Sequence, residues 1–401
     1  MQYTDFVKKT PIDKGWSGDK KYCAETASGE RYLLRVSPIE RKEARERMFA
    51  MQQEVAALGV PMCLPLAIGV CPEGVYTVQS WIDGEDAEPL IPTLSEAEQY
   101  RHGVEAGRIL RRIHSISAPA DQPEWEPRFN AKMDRKIRMY TECPIKFEGA
   151  DRLIAYIEKN RGLLRDRPQT YQHGDYHVGN LMLSEGRVVV IDFDRYDFGD
   201  PWEEFNRIVW CAQTAPRFAS GMVDGYFEGD VPVKFWRLLA LYICSNTLSS
   251  VPWAIPFGER QVKVMLDQAR DVLNWYDGMT RIVPRWYRPG EPLVFGRRVR
   301  VVVDRPLGSE HPSHKGMIYP CNYGYIPGIL AGDGEDQDAY ILGVDEPLDV
   351  FDGVVIAVLH RKDDVEEKWV VAPEGVSFSD EKILEKVHFT EQYFTTVLKR
   401  P

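Results

Sequence analysis

Along the first 80 residues, apolar and polar positions alternate in short runs, KKYCAET, RYLLRV and GVYTVQSW, the period of half-buried strands. Between these runs, Ala44, Met48, Met51, Val55 and Leu58 recur at spacings of four and three. That spacing predicts one amphipathic helix with those side chains on its buried face. Ser37 and Glu40 stand at capping-box spacing with Pro38 at the first helical position, so the helix is expected to begin there. From Thr93 to Tyr287 the period is helical almost throughout, interrupted by a strand-rich block at 171–192. The most apolar stretch, Phe235 to Ile255, is broken by Arg237, Asn246, several serines and Pro252. Crossing a bilayer takes about 20 mainly apolar residues, so a core helix is expected instead. Strand-like alternation returns at VRVVVD, after the segment RIVPRWYRPGEPLVFGRR.

These periods divide the chain into a sheet lobe with one helix (1–82), a helical lobe (83–287), a linker (288–295) and a strand-rich tail (296–401). The fold class expected is α+β. Charge supports the division: the tail holds 12 Lys and Arg against 19 Asp and Glu. The net charge of −11 lacks the basic excess of a general nucleic-acid binder. Seven cysteines form no C-x-x-C pair and are expected as reduced, mostly buried thiols. The start of the chain shows no apolar targeting segment. A cytoplasmic protein without membrane partners is expected, its oligomeric state open.

The candidate chemistry begins at Tyr171-Gln-His173-Gly174-Asp175-Tyr-His177-Val-Gly-Asn180, which runs into LMLSEGRVVVIDFD. A hairpin turning at Glu185-Gly186 would return Asp192 beside Asn180. One carboxylate, Asp175, could then orient or deprotonate a hydroxyl. Asn180 and Asp192 could hold magnesium on nucleotide phosphates, an arrangement suited to phosphoryl transfer, where positioning and charge stabilisation dominate.

His173-Gly174-Asp175…Asn180, Ile191-Asp192-Phe193-Asp194 and Gly199-Asp200-Pro201 resemble, in order and spacing, the motifs of the aminoglycoside phosphotransferase and choline kinase superfamily. The resemblance covers about residues 5–287 and implies a two-lobed, protein-kinase-like fold. It implies Asp175 as catalytic base and Asn180 and Asp192 as Mg²⁺ ligands, with ATP or GTP as co-substrate. Gly15-Trp16-Ser17-Gly18-Asp19 stands where a phosphate-covering loop is expected, with Ser17 as a contact. Arg35 occupies the strand position where the family usually has lysine, an unequal exchange at a phosphate site. Glu46 is the expected acidic helix partner, with Glu43 as rival, and Gln79 to Ile82 the expected nucleobase hinge. The acceptor implied is a small-molecule alcohol, foremost an aminoglycoside-like antibiotic. Choline, a sugar or a nucleoside is the metabolic alternative, and a weakly catalytic regulatory kinase fold a further one. Asp197, Asp200, Glu203, Glu204 and Asp224 could line an acidic acceptor cleft, or be ordinary helix charges.

In the tail, Gly332-Asp333-Gly334-Glu335-Asp336-Gln337-Asp338 concentrates carboxylates that call for a cation. Asp338 stands where a calcium loop needs glycine, and oxygen-only ligands suit magnesium or manganese. Tyr319-Pro320-Cys321-Asn322-Tyr323-Gly324-Tyr325-Ile326 resembles family I inorganic pyrophosphatase, a small β-barrel of OB type. The resemblance implies metal ligands Asp333, Glu335, Asp338 and Asp363, with Glu366 where aspartate is usual. It implies phosphate contacts from Tyr323, Lys368 and Tyr393. Only 18 residues separate Tyr323 from Asp304, so the family's hairpin with its phosphate-binding cations has no room, and Phe394 stands where the family has a basic group. Metal binding with slow or absent diphosphate hydrolysis is expected. A second, diphosphate-hydrolysing activity is the alternative.

Overall fold

The computed structural model of the protein describes residues 1–13, 18–290, 294–312, 314–331, 335–364 and 367–400. The chain forms two compact units, 1–290 and 291–401. The first opens with an antiparallel sheet of β1 (Phe6–Pro11), β2 (Lys20–Thr26), β3 (Arg31–Ser37), β4 (Pro65–Cys71) and β5 (Gly74–Ser80), in the order β1-β2-β3-β5-β4. One sheet face buries Phe6, Ala24, Leu34, Val36 and Val78, the alternation that the sequence carries.

The helix α1 (Lys42–Ala57) departs from its expected setting. It follows a short turn at Ile39–Arg41 and has no side-chain cap. Ser37 ends β3, and its hydroxyl donates to Asp19 (2.8 Å) and accepts from Arg45 Nε (2.9 Å). The residues α1 buries are Arg45, Phe49, Gln52 and Val55, so the inward face is rotated from the predicted apolar stripe. This face carries Arg45 and Gln52 to a polar centre beside the apolar Phe49 and Val55.

The helical lobe begins at a true capping box, where Ser95 and Glu98 satisfy each other's backbone N–H groups before the helix Glu96–Ile113. That helix packs on the helix Pro216–Phe227 along a glycine seam. A Cβ at Gly103 would lie 2.2 Å from Phe218 O, and one at Gly221 would lie 2.2 Å from Tyr100 O. Side chains larger than hydrogen cannot enter this seam without separating the helices. The helix Val233–Ala254, apolar and long enough by composition to cross a membrane, is mostly buried against the helices Trp125–Glu142, Ala150–Asn160 and Glu259–Trp275. The first unit extends into the expected linker: Arg288 N donates to Ser220 Oγ (3.1 Å) and Gly290 N to Asp224 (3.0 Å), just after the buried Trp286.

In the second unit the strands Arg298–Arg305, Asn322–Leu330, Asp336–Ile341, Glu367–Ala372 and Val350–Arg361 pair in that order. The last pairs again with the first, closing a five-stranded barrel. Barrel closure removes exposed sheet edges. Val301, Ile326, Ala339, Ile341, Val355 and Val371 form one core. Tyr340, Leu342, Leu359 and Val370 form a second with Ile383 and Val387 of the helix Asp380–Glu391. Adjacent residues thus point to opposite cores, as strand pleating requires.

Candidate active site

Asp175 lies on the loop between the strand Thr170–Gln172 and the turn Val178–Asn180. The loop is held from beneath. Gly174, at φ +85°, donates its N–H to both Glu204 oxygens (3.0 and 3.1 Å), and Tyr176 N donates to the same carboxylate (3.3 Å). A Cβ at Gly174 would collide with Arg195 O at 1.9 Å, so only glycine fits this backbone. Burial works against the charge on Glu204. His114, His173 and the Gly174 N–H nevertheless hold it below the ordinary carboxylate range. His173 is fully buried, with Nε2 3.0 Å from Ile191 O and Nδ1 accepting from Asp175 N (3.3 Å). Asn180 Nδ2 donates to the carbonyl of Asp175 (2.8 Å).

Three cationic or basic groups face the Asp175 carboxylate: Arg207 Nε at 3.3 Å, Arg195 Nη1 at 3.6 Å and His177 Nε2 at 3.7 Å. His177 Nδ1 accepts from Gly179 N (3.1 Å), which puts the proton of the neutral ring on Nε2, toward Asp175. Burial pushes His177 down to about 4, against the attraction of Asp175. Nearby, burial and the Lys132 charge push the Lys136 ammonium down to about 7.

The nucleotide side differs from the expectation in one respect. Glu46 is exposed and pairs with Lys42 (2.6 Å), and Glu43 faces Arg47. The helix residue that reaches the centre is Arg45, one position and about 100° away on the helix. Arg35 contacts Asp194, Asp192 (3.4 Å) and Asp19 (3.4 Å), while Arg45 contacts Asp19 and Asp194 (3.1 Å). Asp19 accepts from both arginines and from Ser37, and those partners hold it low despite burial. Burial raises Asp194, whereas Arg35 and Lys21 outweigh burial at Asp192 and hold it low. Asp192 also adopts the left-handed backbone, φ +65°, a strain that recurs at functional sites. Gln79 is buried in β5 and donates to Gln52 (3.0 Å); Ile82 follows the strand, half-buried. Ser17 lies outside the described residues.

Several acidic candidates for an acceptor cleft are structural. Asp200 is buried in a two-pronged pair with Arg167 (2.6 and 2.8 Å) and accepts from Tyr242 (2.5 Å). Asp224 is buried and accepts from Tyr100 (2.7 Å) and Tyr287 (2.6 Å). Glu204 supports the catalytic loop. Asp197 and Glu203 are paired with Arg128 and Lys132.

In the tail, Tyr323, Lys368 and Tyr393 meet on one cleft of about 890 Å³. Lys368 Nζ is 2.5 Å from Asp338 Oδ2, and Tyr323 is raised by burial and by Asp338. Asp363 stands apart in role: both its oxygens accept from Thr395 N (2.9 Å). Glu335 is exposed, and Asp333 and Glu366 lie outside the described residues. Among the described residues, no three His, Cys, Asp or Glu side chains gather to hold a metal ion.

A sheet lobe, a helical lobe and an Asp–Asn loop beside a pair of aspartates define a kinase-like phosphotransferase fold. Residues 9–236 match the model of the phosphotransferase enzyme family, and the chain belongs to that family. Residues 297–399 match inorganic pyrophosphatase and form a C-terminal domain of that type. A thermostable mutant of the aminoglycoside phosphotransferase APH(4)-Ia, in ternary complex with AMP-PNP and hygromycin B, superposes with a TM-score of 0.52 at 15% identity. The match covers 70% of this chain and 96% of that one. A choline/ethanolamine kinase family protein from Mesorhizobium loti gives 0.50 at 16% identity, covering 69% and 92%. At such identities these matches establish the fold. The inorganic pyrophosphatase of Xylella fastidiosa (strain 9a5c) is 34% identical over 95 residues, 22% of this chain and 48% of that protein. That of Methanosarcina acetivorans is 42% identical over 62 residues, 14% and 37%. The chain thus spans half or less of the length of these two relatives.

Proposed function

We propose that residues 1–290 transfer the terminal phosphoryl group of ATP or GTP to a hydroxyl of a small molecule. The observation that carries this reading is the presentation of Asp175. Its loop is pinned by Glu204, His173 and Asn180, and its carboxylate faces outward to cations rather than into the core. A carboxylate so placed accepts the hydroxyl proton as the new O–P bond forms. Asn180 and Asp192 are hard oxygen donors that fit Mg²⁺, and they would hold it against the nucleotide, where it would offset phosphate charge. Arg35, with a buried Nε that has no acceptor among the described residues, would donate to phosphate oxygens.

The acceptor side favours a particular charge. Arg195 and Arg207 flank the Asp175 carboxylate, and the candidate acidic cleft residues are buried or paired. Such surroundings favour a neutral or anionic hydroxyl compound over a polycationic aminoglycoside. Nucleotide consumption by the purified chain tests this against aminoglycosides, choline, nucleosides, sugars and hydroxy acids. Turnover with a nucleoside, a sugar or a hydroxy acid, lowered by about 10²–10⁴ in Asp175→Ala, is expected. Turnover with aminoglycosides alone overturns the charge argument, and turnover indifferent to Asp175 overturns the reading of the site.

A further inference from the structure

The tail cleft is larger and differently lined than a site for a small inorganic anion needs. Its volume of about 890 Å³ lies in the range of small-molecule pockets, about 300–1,000 Å³. Inorganic diphosphate has no apolar surface and would occupy a small part of it. Among the described residues, the lining contains Lys315, Arg361, Lys368, His311 and His314 and no aspartate or glutamate, with Lys368 paired to Asp338 and Arg361 to Glu391. A phosphate group suits this wall.

The opposite chemistry is present as well. Tyr393 is 67% exposed and Ile318 51% exposed, and both line the cleft beside Met317 and Phe394. Large apolar side chains left open to water around a cavity mark a surface that an organic group covers.

Lys315 comes from a loop that stands where the family's hairpin has no room. Residues 306–312 and 314–319 fold back on each other through His311 N to Met317 O (2.8 Å), Tyr319 N to Ser309 O (2.9 Å) and Gly308 N to Tyr319 O (2.9 Å). The His311 ring stacks on Tyr319 (5.9 Å between centroids, 5° between planes) and lies 4.6 Å from His314. The loop therefore carries Lys315 to the cleft on a braced support. On the far wall, the Arg361 guanidinium sits 3.6 Å over the Phe394 ring, returning a cation to the place where Phe394 replaced a basic residue. Arg361 also pairs with Glu391 (2.7 Å), which fixes its position.

We propose that this cleft binds a phosphate ester of an organic molecule, with the phosphate on Lys315, Lys368 and Arg361 and the organic group on Tyr393 and Ile318. The proposal rests on the tail alone and is independent of the kinase reading. Calorimetric titration of the full chain with phenyl phosphate, inorganic phosphate and inorganic diphosphate tests it. Phenyl phosphate is expected to bind about tenfold more tightly than inorganic phosphate, the order that covering part of an aromatic ring supplies. Tyr393→Ala should erase that preference, and Ile318→Ala should narrow it while inorganic phosphate binding stays unchanged. Lys315→Ala should weaken both by about tenfold, which also locates the binding in the tail. Equal affinities for ester and inorganic phosphate, or binding indifferent to Lys315, overturn the proposal. So does tighter binding of inorganic diphosphate accompanied by its rapid hydrolysis.

Discussion

Arg35 Nη1 lies 3.4 Å from Asp192 Oδ1, so the strand cation and the candidate metal carboxylate neutralise each other across the two lobes. Removing Arg35 leaves Asp19 and Asp194 to Arg45, and Asp192 to the Lys21 charge. Arg35→Ala is expected to cost about 3 kcal/mol of stability, as when a buried ion pair loses one member. It should also raise the nucleotide KM at least tenfold. Arg35→Lys should recover most of the stability but less of the affinity, since a point charge cannot replace the planar fork. Thermal unfolding and nucleotide kinetics separate the two effects, and equal nucleotide KM in all three proteins would remove Arg35 from the phosphate site.

Asp175→Ala should lower kcat by about 10²–10⁴ while nucleotide affinity stays within a few-fold. Asp192→Ala should damage both. A rate above about a tenth of wild type in Asp175→Ala would contradict the role of general base, given the usual size of that contribution.

Glu204 acts through the loop it supports. Glu204→Gln keeps an acceptor for Gly174 N but removes the charge near His114 (3.8 Å). The expected loss is about 1–3 kcal/mol of stability, together with a lower kcat at unchanged nucleotide KM. A stability loss with normal kcat would show that the loop does not depend on this carboxylate.

His177 gives the fold a pH dependence with a definite sign. Its folded-state value of about 4 lies below the ordinary 6.5. As pH falls through 6.5, the unfolded chain takes up a proton that the folded chain does not, so stability declines until about pH 4. His177→Asn should flatten that part of the stability curve. Urea midpoints between pH 7 and 4 measure it, and parallel curves for both proteins would refute the assignment.

The first unit should fold alone when ended at Gly290, with kinase turnover within a few-fold of the full chain. Ending it at 283 removes Trp286 and the bonds that Tyr287, Arg288 and Gly290 make. That shorter fragment should melt several degrees lower; equal melting of the two would make the segment dispensable.

The motif from His173 to Asp194 was legible because its chemistry is local: loop residues five apart, then a hairpin. The barrel was legible through its strand alternation and the tyrosine-rich element at 319–326. The helix partner was not. Periodicity finds the apolar face of α1, but the face turned inward carries Arg45 and Gln52, whose burial depends on Asp19, Asp194 and Gln79 from distant parts of the chain. Likewise, nothing in the local pattern around Asp200, Glu204 and Asp224 separates a buried carboxylate from one lining a cleft. Lys315 was visible as a cation, but its place in a cleft depends on backbone bonds across the 306–319 loop.

The glycine seam has a reach beyond the two helices it joins. Gly103 and Gly107 sit on the helix that delivers His114 at its end, and His114 stands against Glu204, which in turn carries the backbone of Gly174. A Cβ at Gly107 would meet Met222 O at 2.1 Å, and the helix would have to translate to admit it. The hydrogens of these glycines therefore act as a gauge block: the separation of two scaffold helices sets the height at which the Asp175 loop is held.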